Sequence, residues 1–216
     1  MVELIVPAKN SIKFYLSNSI YHIYNRGVEK RTIFEDNQDY NVFLGYLKEY
    51  LSPSQGEALG YRDYKGKFVE EIKLLTFCLM PNHFHLLIKQ KGKDSIKKFT
   101  QALFTRYSMY FNKKYKRIGS LFQGEYRAVN IIDKEHLLYV SKYIHRNPIT
   151  STSNLNVFSS YSDYLGITNT PWLDKKVVLN EFNKSIYIKF NKINSYQEFV
   201  EKWDKDLPNP DIFDLS

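Results

Sequence analysis

The sequence is poor in cysteine and glycine and has no long apolar run: it contains one cysteine and nine glycines. A single thiol excludes an intrachain disulfide, and the apolar neighbours of Cys78 indicate a buried strand thiol and not a nucleophile. No segment reaches the roughly 20 apolar residues needed to cross a bilayer. The N-terminus lacks the apolar core and cleavage site of a signal peptide. We therefore expect a soluble, cytoplasmic protein without a membrane partner.

Positive charge and aromatic side chains are abundant. Over 216 residues the chain has 31 Lys and Arg against 23 Asp and Glu, which gives a formal net charge of +8 and a pI near 9.3. Such a balance suits a polyanionic partner. The 18 Tyr and 15 Phe include rings that can stack on unpaired bases, although most are expected in the core. The composition therefore permits a nucleic-acid partner without requiring one.

Residue patterns predict alternating strands and helices over the first two thirds of the chain. The order strand–helix–strand–strand–helix–strand indicates an α+β, ferredoxin-like antiparallel sheet with helices on one face. A further helix follows this unit. The predicted elements are a strand at 19–25, a helix at 37–51 capped by Asp36, strands at 68–80 and 83–90, a helix at 95–113, an extended segment at 119–132, and a helix from Asp133 to Arg146 that Asn147–Pro148 ends.

After Pro148 the pattern weakens to a serine-rich stretch and two short helical patterns, at 175–183 and 195–203. No internal repeat or low-complexity tract is visible. We expect residues 1–150 to form one domain and residues 151–216 to form a C-terminal helical extension packed on that domain.

Two histidines, His83 and His85, flank Phe84 inside the strand predicted at 83–90. Side chains two residues apart on a strand point to the same face, so both imidazoles emerge together. Two imidazoles at this spacing can hold one divalent cation if other groups complete its shell. An isolated pattern of this length is more often a pair of surface or hydrogen-bonded histidines, so it does not identify a metal site alone.

Two other sites with similar patterns fit the sequence poorly. Histidine-triad nucleotide hydrolases carry a third histidine at the position that Leu87 occupies here. A structural zinc site needs four His or Cys ligands, and Cys78 is the only thiol.

The helix predicted from Asp133 carries two parallel stripes. Leu137, Val140 and Ile144 recur at three and four residues and form an apolar stripe. A neighbouring stripe contains His136, Tyr139, Tyr143 and Asn147. A tyrosine hydroxyl can attack a phosphodiester and form a covalent phosphotyrosine. Spacing alone does not choose Tyr143 over Tyr139, and a surface or core-edge role is the usual one for a single tyrosine.

Four motifs in order carry a family resemblance. They are Asn25-Arg26-Gly27, the string MPNHFHLL at 80–87, the string GSLFQ at 119–123, and Tyr143-Ile144-His145-Arg146-Asn147-Pro148. Together they resemble the single-tyrosine HUH transposases, in which U is a hydrophobic residue, and most closely the REP-associated tyrosine transposases. The likeness runs from about Ser19 to Pro148, and a weaker likeness continues in the tail.

The resemblance implies a metal-dependent DNA strand transferase and endonuclease. His83 and His85 match the metal-binding pair, for Mg²⁺ or Mn²⁺, and Tyr143 matches the nucleophile. Asn147 is then the expected third ligand, although other branches of the superfamily carry Gln or Glu there. The family acts on single-stranded, often hairpin-bearing, DNA and forms a 5′-phosphotyrosine.

Basic residues are candidates for phosphate contacts. They are Arg26, Lys113, Lys114, Lys116, Arg117 and Arg127, together with Arg106. Two other functions remain open: a catalytically idle DNA-binding protein of the same fold, and a metal-dependent nuclease in which water attacks. The oligomeric state, monomer or homodimer, is also open, as is the group that takes the proton of Tyr143; His136 and His145 are candidates.

Overall fold

One antiparallel sheet organises the protein. The computed structural model describes residues 15–53, 66–151 and 158–202. Its strands are β1 (Ile20–Arg26), β2 (Ile72–Met80), β3 (His83–Gln90) and β4 (Arg127–Asn130). They lie in the order β2-β3-β1-β4, and every neighbouring pair is antiparallel. This order, with helical crossovers, is that of a ferredoxin-like sheet, and it confirms the predicted α+β class.

The main helices lie on both faces of the sheet. Helix α1 (Asn37–Leu51) begins at its predicted cap, because the Asp36 carboxylate accepts a hydrogen bond from the Asp39 amide at 3.1 Å. Helix α2 spans Ser95–Lys114, and helix α3 spans Lys134–Ser151. Four shorter helices follow: α4 (Tyr161–Tyr164), α5 (Lys176–Lys184), α6 (Ile186–Phe190) and α7 (Tyr196–Glu201).

Helices α1 and α2 cover one face of the sheet. There the Phe84 ring lies 5.6 Å from the Phe43 ring of α1 and 5.0 Å from the Phe104 ring of α2. Helix α3 packs on the opposite face, against β2 and β3. Because Phe84 points toward α1 and α2, the histidines on either side of it point toward α3. Among the described helices, none combines the length and hydropathy of a membrane span.

Strand β2 begins four residues later than the sequence predicts. Residues 66–71 form turns, in which Val69 donates to the Gly66 carbonyl and Ile72 donates to the Phe68 carbonyl. Phe68 is still buried, because its ring packs against Tyr50 and Phe99. Its apolar character therefore reflects a core contact made from a turn.

Helix α3 passes through Pro148 and ends at Ser151, so the predicted end at Asn147–Pro148 is wrong. A proline in a helix loses one backbone hydrogen bond and strains the preceding turn. Here it lies in the last turn, where only a few bonds remain to be lost. The N-terminus of α3 matches the prediction, since the Asp133 carboxylate accepts a hydrogen bond from the His136 amide at 2.7 Å.

Residues 158–174 cover the outer edge of β2. The Leu79 amide donates to the Phe158 carbonyl at 2.9 Å, and the Ser160 amide donates to the Phe77 carbonyl at 3.0 Å. Further along, the Asp174 amide donates to the Leu74 carbonyl at 2.8 Å. An exposed edge strand is a template for unwanted pairing, and this segment occupies those backbone groups.

His145 joins α3 to the C-terminal helices. Its side chain is fully buried, with Nδ1 2.9 Å from the Tyr196 hydroxyl and Nε2 2.8 Å from the Ser160 hydroxyl. The Tyr196 hydroxyl also donates to the Ser141 hydroxyl at 3.1 Å. Burial lowers the pKa of His145 to about 3, so the ring is neutral at pH 7. Both ring nitrogens are therefore used in packing.

The buried carboxylate of Asp39 ties α1 to the end of α2. It accepts hydrogen bonds from the Tyr110 and Tyr115 hydroxyls at 2.9 and 2.8 Å, and from the Lys114 ammonium at 2.8 Å. The Glu35 amide adds a fourth bond at 2.9 Å. A buried charge with this many donors is stable, whereas an incomplete set leaves polar groups unsatisfied.

Asp39→Asn should lower the free energy of unfolding by about 3 kcal/mol, because it removes the charge that Lys114 and the two tyrosines surround. Urea unfolding at pH 7 measures the change. Asp36→Asn is the matched control: it keeps a capping oxygen and loses only an exposed bond to Lys114. Equal losses in the two variants would contradict the role of Asp39.

The pKa of His145 predicts a loss of stability in acid. Below a pH of about 6.5 the unfolded chain binds a proton at this residue that the folded chain does not bind. The free energy of unfolding then falls by up to about 1.4 kcal/mol per pH unit from this group. His145→Gln should therefore have a shallower decline from pH about 6.5 to about 4 than the wild type.

Ser160→Ala is the control for this prediction. It removes a hydrogen bond to His145 but keeps the imidazole, so stability should fall by a similar amount at every pH while the slope is retained. Urea unfolding at a series of pH values gives the slopes. Parallel curves for the wild type and His145→Gln would contradict the assignment.

Candidate metal and nucleophile site

The register between β1 and β3 collects three histidines on the face that α3 covers. Arg26 lies opposite His83, Tyr24 opposite His85, and His22 opposite Leu87. Directly opposed residues share a face, so His22 lies on the same face as the predicted pair. Along the sheet, His85 lies between His83 and His22.

His83 is held by the turn between β2 and β3. Its Nδ1 lies 2.7 Å from the Asn82 Oδ1, while the Asn82 Nδ2 donates to the Lys30 carbonyl at 3.3 Å. Since a carbonyl can only accept, the amide is fixed and its oxygen accepts from the His83 Nδ1–H. The Nε2 atom of His83 therefore carries the lone pair.

His83 is neutral at pH 7. Burial lowers its pKa to about 4, and a hydrogen bond with the Asn147 side chain offsets part of that change. The neighbouring charge of Arg26 lowers the pKa further. A neutral imidazole has the lone pair that a metal ion needs.

His85 is fully buried and contacts His22. The His85 Nδ1 and the His22 Nε2 are 2.9 Å apart, and the two ring centroids are 5.0 Å apart with the ring planes at 25°. Burial lowers the pKa of His22 to about 3 and holds the pKa of His85 well below its usual value. Among the described residues, none is hydrogen-bonded to the buried Nε2 of His85. If this nitrogen is protonated, its N–H has no acceptor; if it is not protonated, its lone pair is available to a ligand.

The donor set suits a divalent cation. The His83 and His85 rings lie 5.1 Å apart and nearly perpendicular, at 87°. His83 offers a lone pair on Nε2, His85 has an unmatched buried Nε2, and Asn147 reaches His83. The part of the chain that the structure describes holds no cluster of three or more His, Cys, Asp or Glu side chains suited to a metal. Cys78, opposite His85 in β2, is buried, and burial raises the pKa of its thiol.

The polar stripe of α3 lies over these histidines. The Tyr143 ring meets His85 edge-on at 5.4 Å and His22 at 6.1 Å. One turn later Asn147 contacts His83, and two turns earlier His136 is close enough to lower the pKa of His22 electrostatically. The apolar stripe, Leu137, Val140 and Ile144, is buried as predicted.

Tyr143 and Tyr139 differ in their surroundings. Both are half-buried, and Tyr143 helps to raise the pKa of Tyr139 after the larger effect of burial. The ring contacts to His85 and His22 belong to Tyr143. This geometry favours Tyr143 as the group beside the histidine pair. It also removes His145 as a proton acceptor, because both of its nitrogens are engaged behind the helix.

Two loops place Arg26 beside His83. The Gln123 amide donates to the Arg26 carbonyl, and the Arg26 Nε donates to the Gln123 side chain. Gly27 makes the sharp exit from β1, where an added Cβ would collide with the carbonyl oxygen of Arg31. The motifs Asn25-Arg26-Gly27 and GSLFQ are thus in contact with each other.

The predicted phosphate contacts fall into different environments. Arg127 lies opposite Tyr24 in β4, on the histidine face, and is exposed. Lys113 and Lys116 are exposed at the end of α2, and Arg117 is half-buried with a bond to Asn112. Lys114 instead bonds Asp36 and the buried Asp39, so the structure gives it a role in folding.

Arg106, the remaining basic candidate, and two aromatic residues, Tyr107 and Phe122, also have structural partners. Arg106 bonds Glu49 at 2.5 Å and lies 3.8 Å over the Tyr46 ring. Tyr107 is fully buried and donates to the Ile33 carbonyl, and Phe122 is 7% exposed. These two rings belong to the core.

Sequence reasoning missed His22 and Asn82 as part of this site. Alternation in the first strand could have placed His22 on one face, but its partner depends on the register with β3. Asn82 precedes the histidine motif directly, and a side chain that bonds its neighbour is a common turn feature.

Comparison with known proteins adds a family. Residues 64–147 match the family described as "Transposase IS200 like". A solved structure described as a REP-associated tyrosine transposase bound to a REP hairpin aligns with a TM-score of 0.52 at 9% identity. The alignment covers 77% of this chain and 97% of that one, and at this identity it supports the fold. A search of curated proteins finds no match. Residues 64–147 are thus similar to the IS200-like transposases, and the fold around them is similar to that of the solved tyrosine transposase.

Proposed function

We propose that this protein is a transposase that cleaves and rejoins single-stranded DNA through a covalent bond between Tyr143 and a 5′-phosphate. The observation that carries the proposal is the position of α3, which sets the Tyr143 ring 5.4 Å from His85 and brings Asn147 to His83. A potential nucleophile and a potential cation site are thereby adjacent, as phosphoryl transfer requires.

His83, His85 and Asn147 would hold the divalent cation, Mg²⁺ or Mn²⁺. When bound, the cation withdraws charge from the non-bridging oxygens of the scissile phosphate. The two neutral imidazoles supply nitrogen ligands and Asn147 an amide oxygen, which is a weak set for a hard ion. We therefore expect modest affinity, and better support from Mn²⁺ than from Mg²⁺.

Tyr143 would supply the attacking oxygen. Its Oη forms a bond to phosphorus and loses its proton, while the bond from phosphorus to the 3′-oxygen breaks and that oxygen takes up a proton. One phosphoester bond replaces another, so no nucleotide hydrolysis is needed. Attack by a 3′-hydroxyl on the phosphotyrosine reverses the step and rejoins the strand.

Arg26 and Arg127 are the basic residues best placed to position the strand. Arg26 lies opposite His83, and Arg127 lies at the edge of the same face. Lys113, Lys116 and Arg117 add further positive charge at the C-terminal end of α2. Phosphate contacts of this kind set the register of the strand without reading its sequence. The hairpin in the related structure makes a hairpin-bearing strand the substrate that we propose here.

We also propose that residues 1–150 form the catalytic domain and residues 151–216 an extension packed on it. The contacts of residues 158–174 with β2, and of Tyr196 with α3, support this division. Residues 152–157 and 203–216 of the extension lie outside the described residues.

Tyr143→Phe should abolish the covalent product, because it removes the attacking oxygen and leaves the ring. A labelled hairpin-bearing strand incubated with the protein and Mn²⁺ gives a protein–DNA band on a denaturing gel. Tyr139→Phe, one turn earlier on the same stripe, is the matched control and should keep the band.

Each alternative gives a different result in this assay. A band that persists in Tyr143→Phe would overturn the assignment of the nucleophile. Cleavage without any band in the wild type would favour attack by water. Binding without cleavage would favour an idle DNA-binding protein.

Asn147→Ala should weaken Mn²⁺ binding by about tenfold or more, because even outer-shell partners of a metal typically contribute 10–100-fold. Calorimetric titration of the wild type and the variant with Mn²⁺ measures the ratio, and chelation should abolish strand cleavage. Asn183→Ala, exposed on α5, should leave the affinity unchanged. An unchanged affinity in Asn147→Ala would remove Asn147 from the site.

A further inference from the structure

We propose that His22 is a positioning residue that fixes the ring and the tautomer of His85 before any metal binds. The inference rests on the proposed metal site of His83 and His85, and it assigns a function to a buried histidine that the proposed mechanism leaves unused. His22 would accept a hydrogen bond from the His85 Nδ1–H, which leaves the lone pair of His85 on Nε2.

The geometry of the pair carries this inference. The His22 Nε2 lies 2.9 Å from the His85 Nδ1, and both side chains are fully buried. The ring centroids are 5.0 Å apart and the ring planes are 25° from parallel, so the two rings meet edge to edge at the nitrogens that share the hydrogen bond. A buried contact of this length between imidazoles is a hydrogen bond with one proton in it.

That single proton decides whether His85 can bind a cation. If it belongs to His85 Nδ1, the Nε2 atom carries a lone pair. If it belongs to His22 Nε2, the neutral His85 ring must carry its proton on Nε2, and that N–H blocks metal binding. The buried Nε2 of His85 lacks a hydrogen-bonding neighbour in the described parts of the chain, so no acceptor there favours a proton on it. With the lone pair of His85 on Nε2, the neutral His22 ring carries its own proton on Nδ1, so the two arrangements of the pair differ in which of these two buried nitrogens is protonated. We assign the lone pair to His85 because its ring, and not an outer group, lies beside both His83 and Tyr143.

His83 provides an internal comparison. There the Asn82 Oδ1 accepts from the Nδ1–H at 2.7 Å, and the Lys30 carbonyl fixes the direction of that amide. The Nδ1 atom of each histidine thus faces an acceptor. For His83 the acceptor is an amide oxygen, and for His85 it is an imidazole nitrogen. Outer-shell acceptors of this kind orient histidine ligands and raise their basicity.

His22 also contacts the nucleophile. Its ring meets the Tyr143 ring edge-on at 6.1 Å, while His85 meets the same ring at 5.4 Å. One buried side chain thus touches both the ligand and the tyrosine, so a change at position 22 affects the distance between them as well as the tautomer.

The tautomer can be read directly in the wild type. Long-range ¹H–¹⁵N spectra of metal-free protein at pH 7 distinguish a protonated Nδ1 from a protonated Nε2. We expect His85 to carry its proton on Nδ1. A proton on His85 Nε2 would overturn the inference, and this result does not depend on whether the site binds a metal.

Metal affinity gives the second test. Electron paramagnetic resonance measures the concentration of free Mn²⁺ during a titration, and this gives the dissociation constant of Mn²⁺ from the protein. His22→Met keeps the volume and removes the acceptor, and it should raise the constant by about 10–100-fold. His22→Gln places an amide oxygen near the position of Nε2 and should recover most of the affinity. A folded His22→Met protein with wild-type affinity would overturn the inference.

His145→Met is the matched control. His145 is equally buried and is also hydrogen-bonded, but its two hydrogen bonds lie behind α3. It should lower the melting temperature without changing Mn²⁺ affinity. An equal loss of affinity in His145→Met would mean that His22 acts only through stability, which would also overturn the inference. Absence of Mn²⁺ binding in the wild type would instead overturn the proposed metal site, and the tautomer measurement would still decide the role of His22.

Discussion

The register between β1 and β3 determines which side chains meet beneath α3. It sets Arg26 opposite His83 and brings His22 to His85, although about sixty residues separate the members of each pair along the chain. Because strand side chains alternate, a slip by one residue would turn His22 to the apolar face and bring Tyr21 or Ile23 to the site. The burial of Tyr21 and Ile23 in the apolar core opposes such a slip, since it would remove both side chains from that core and place His22 there. The apolar core on one face therefore fixes the polar arrangement on the other.

The site is built from two separate elements, the central strands of the sheet and helix α3. The histidines lie on central strands whose backbone is paired on both sides, whereas Tyr143 and Asn147 lie on a helix that packs over them. Groups on regular elements are held more accurately than groups on loops. Arg26 follows the same logic, because the backbone bond from Gln123 fixes the end of β1 where the arginine emerges. The chemistry proposed for this site needs a tyrosine oxygen and a phosphate in line, and the packing of α3 on the sheet sets the distance between Tyr143 and the histidines.

Much of this arrangement could be predicted from local patterns, and the remainder required contacts between distant segments. Alternation predicted that His83 and His85 share a face, and helical spacing predicted the two stripes of α3, including the buried Val140 and Ile144. The turn residues 68–71 were predicted as strand because Phe68 is apolar, and the end of α3 was placed too early because Pro148 lies inside its last turn. The partner of His22 and the role of Lys114 in binding Asp39 depend on register and on helix packing, which neighbouring residues do not encode. The assignment of Tyr143 needed the family resemblance, because Tyr139 has equivalent spacing.

The bonds from His145 to Ser160 and Tyr196 also bear on how the protein is made. The chain leaves the ribosome N-terminus first. Ser160 and Tyr196, which bond His145 behind α3, therefore emerge after α3 itself. The sheet and the first two helices can form while α3 still lacks these partners, so its tyrosine would reach its final place late in synthesis. A nascent chain would then carry the histidine pair before it could cut. If the chain cuts DNA as proposed, such an order of assembly would confine cutting to finished molecules.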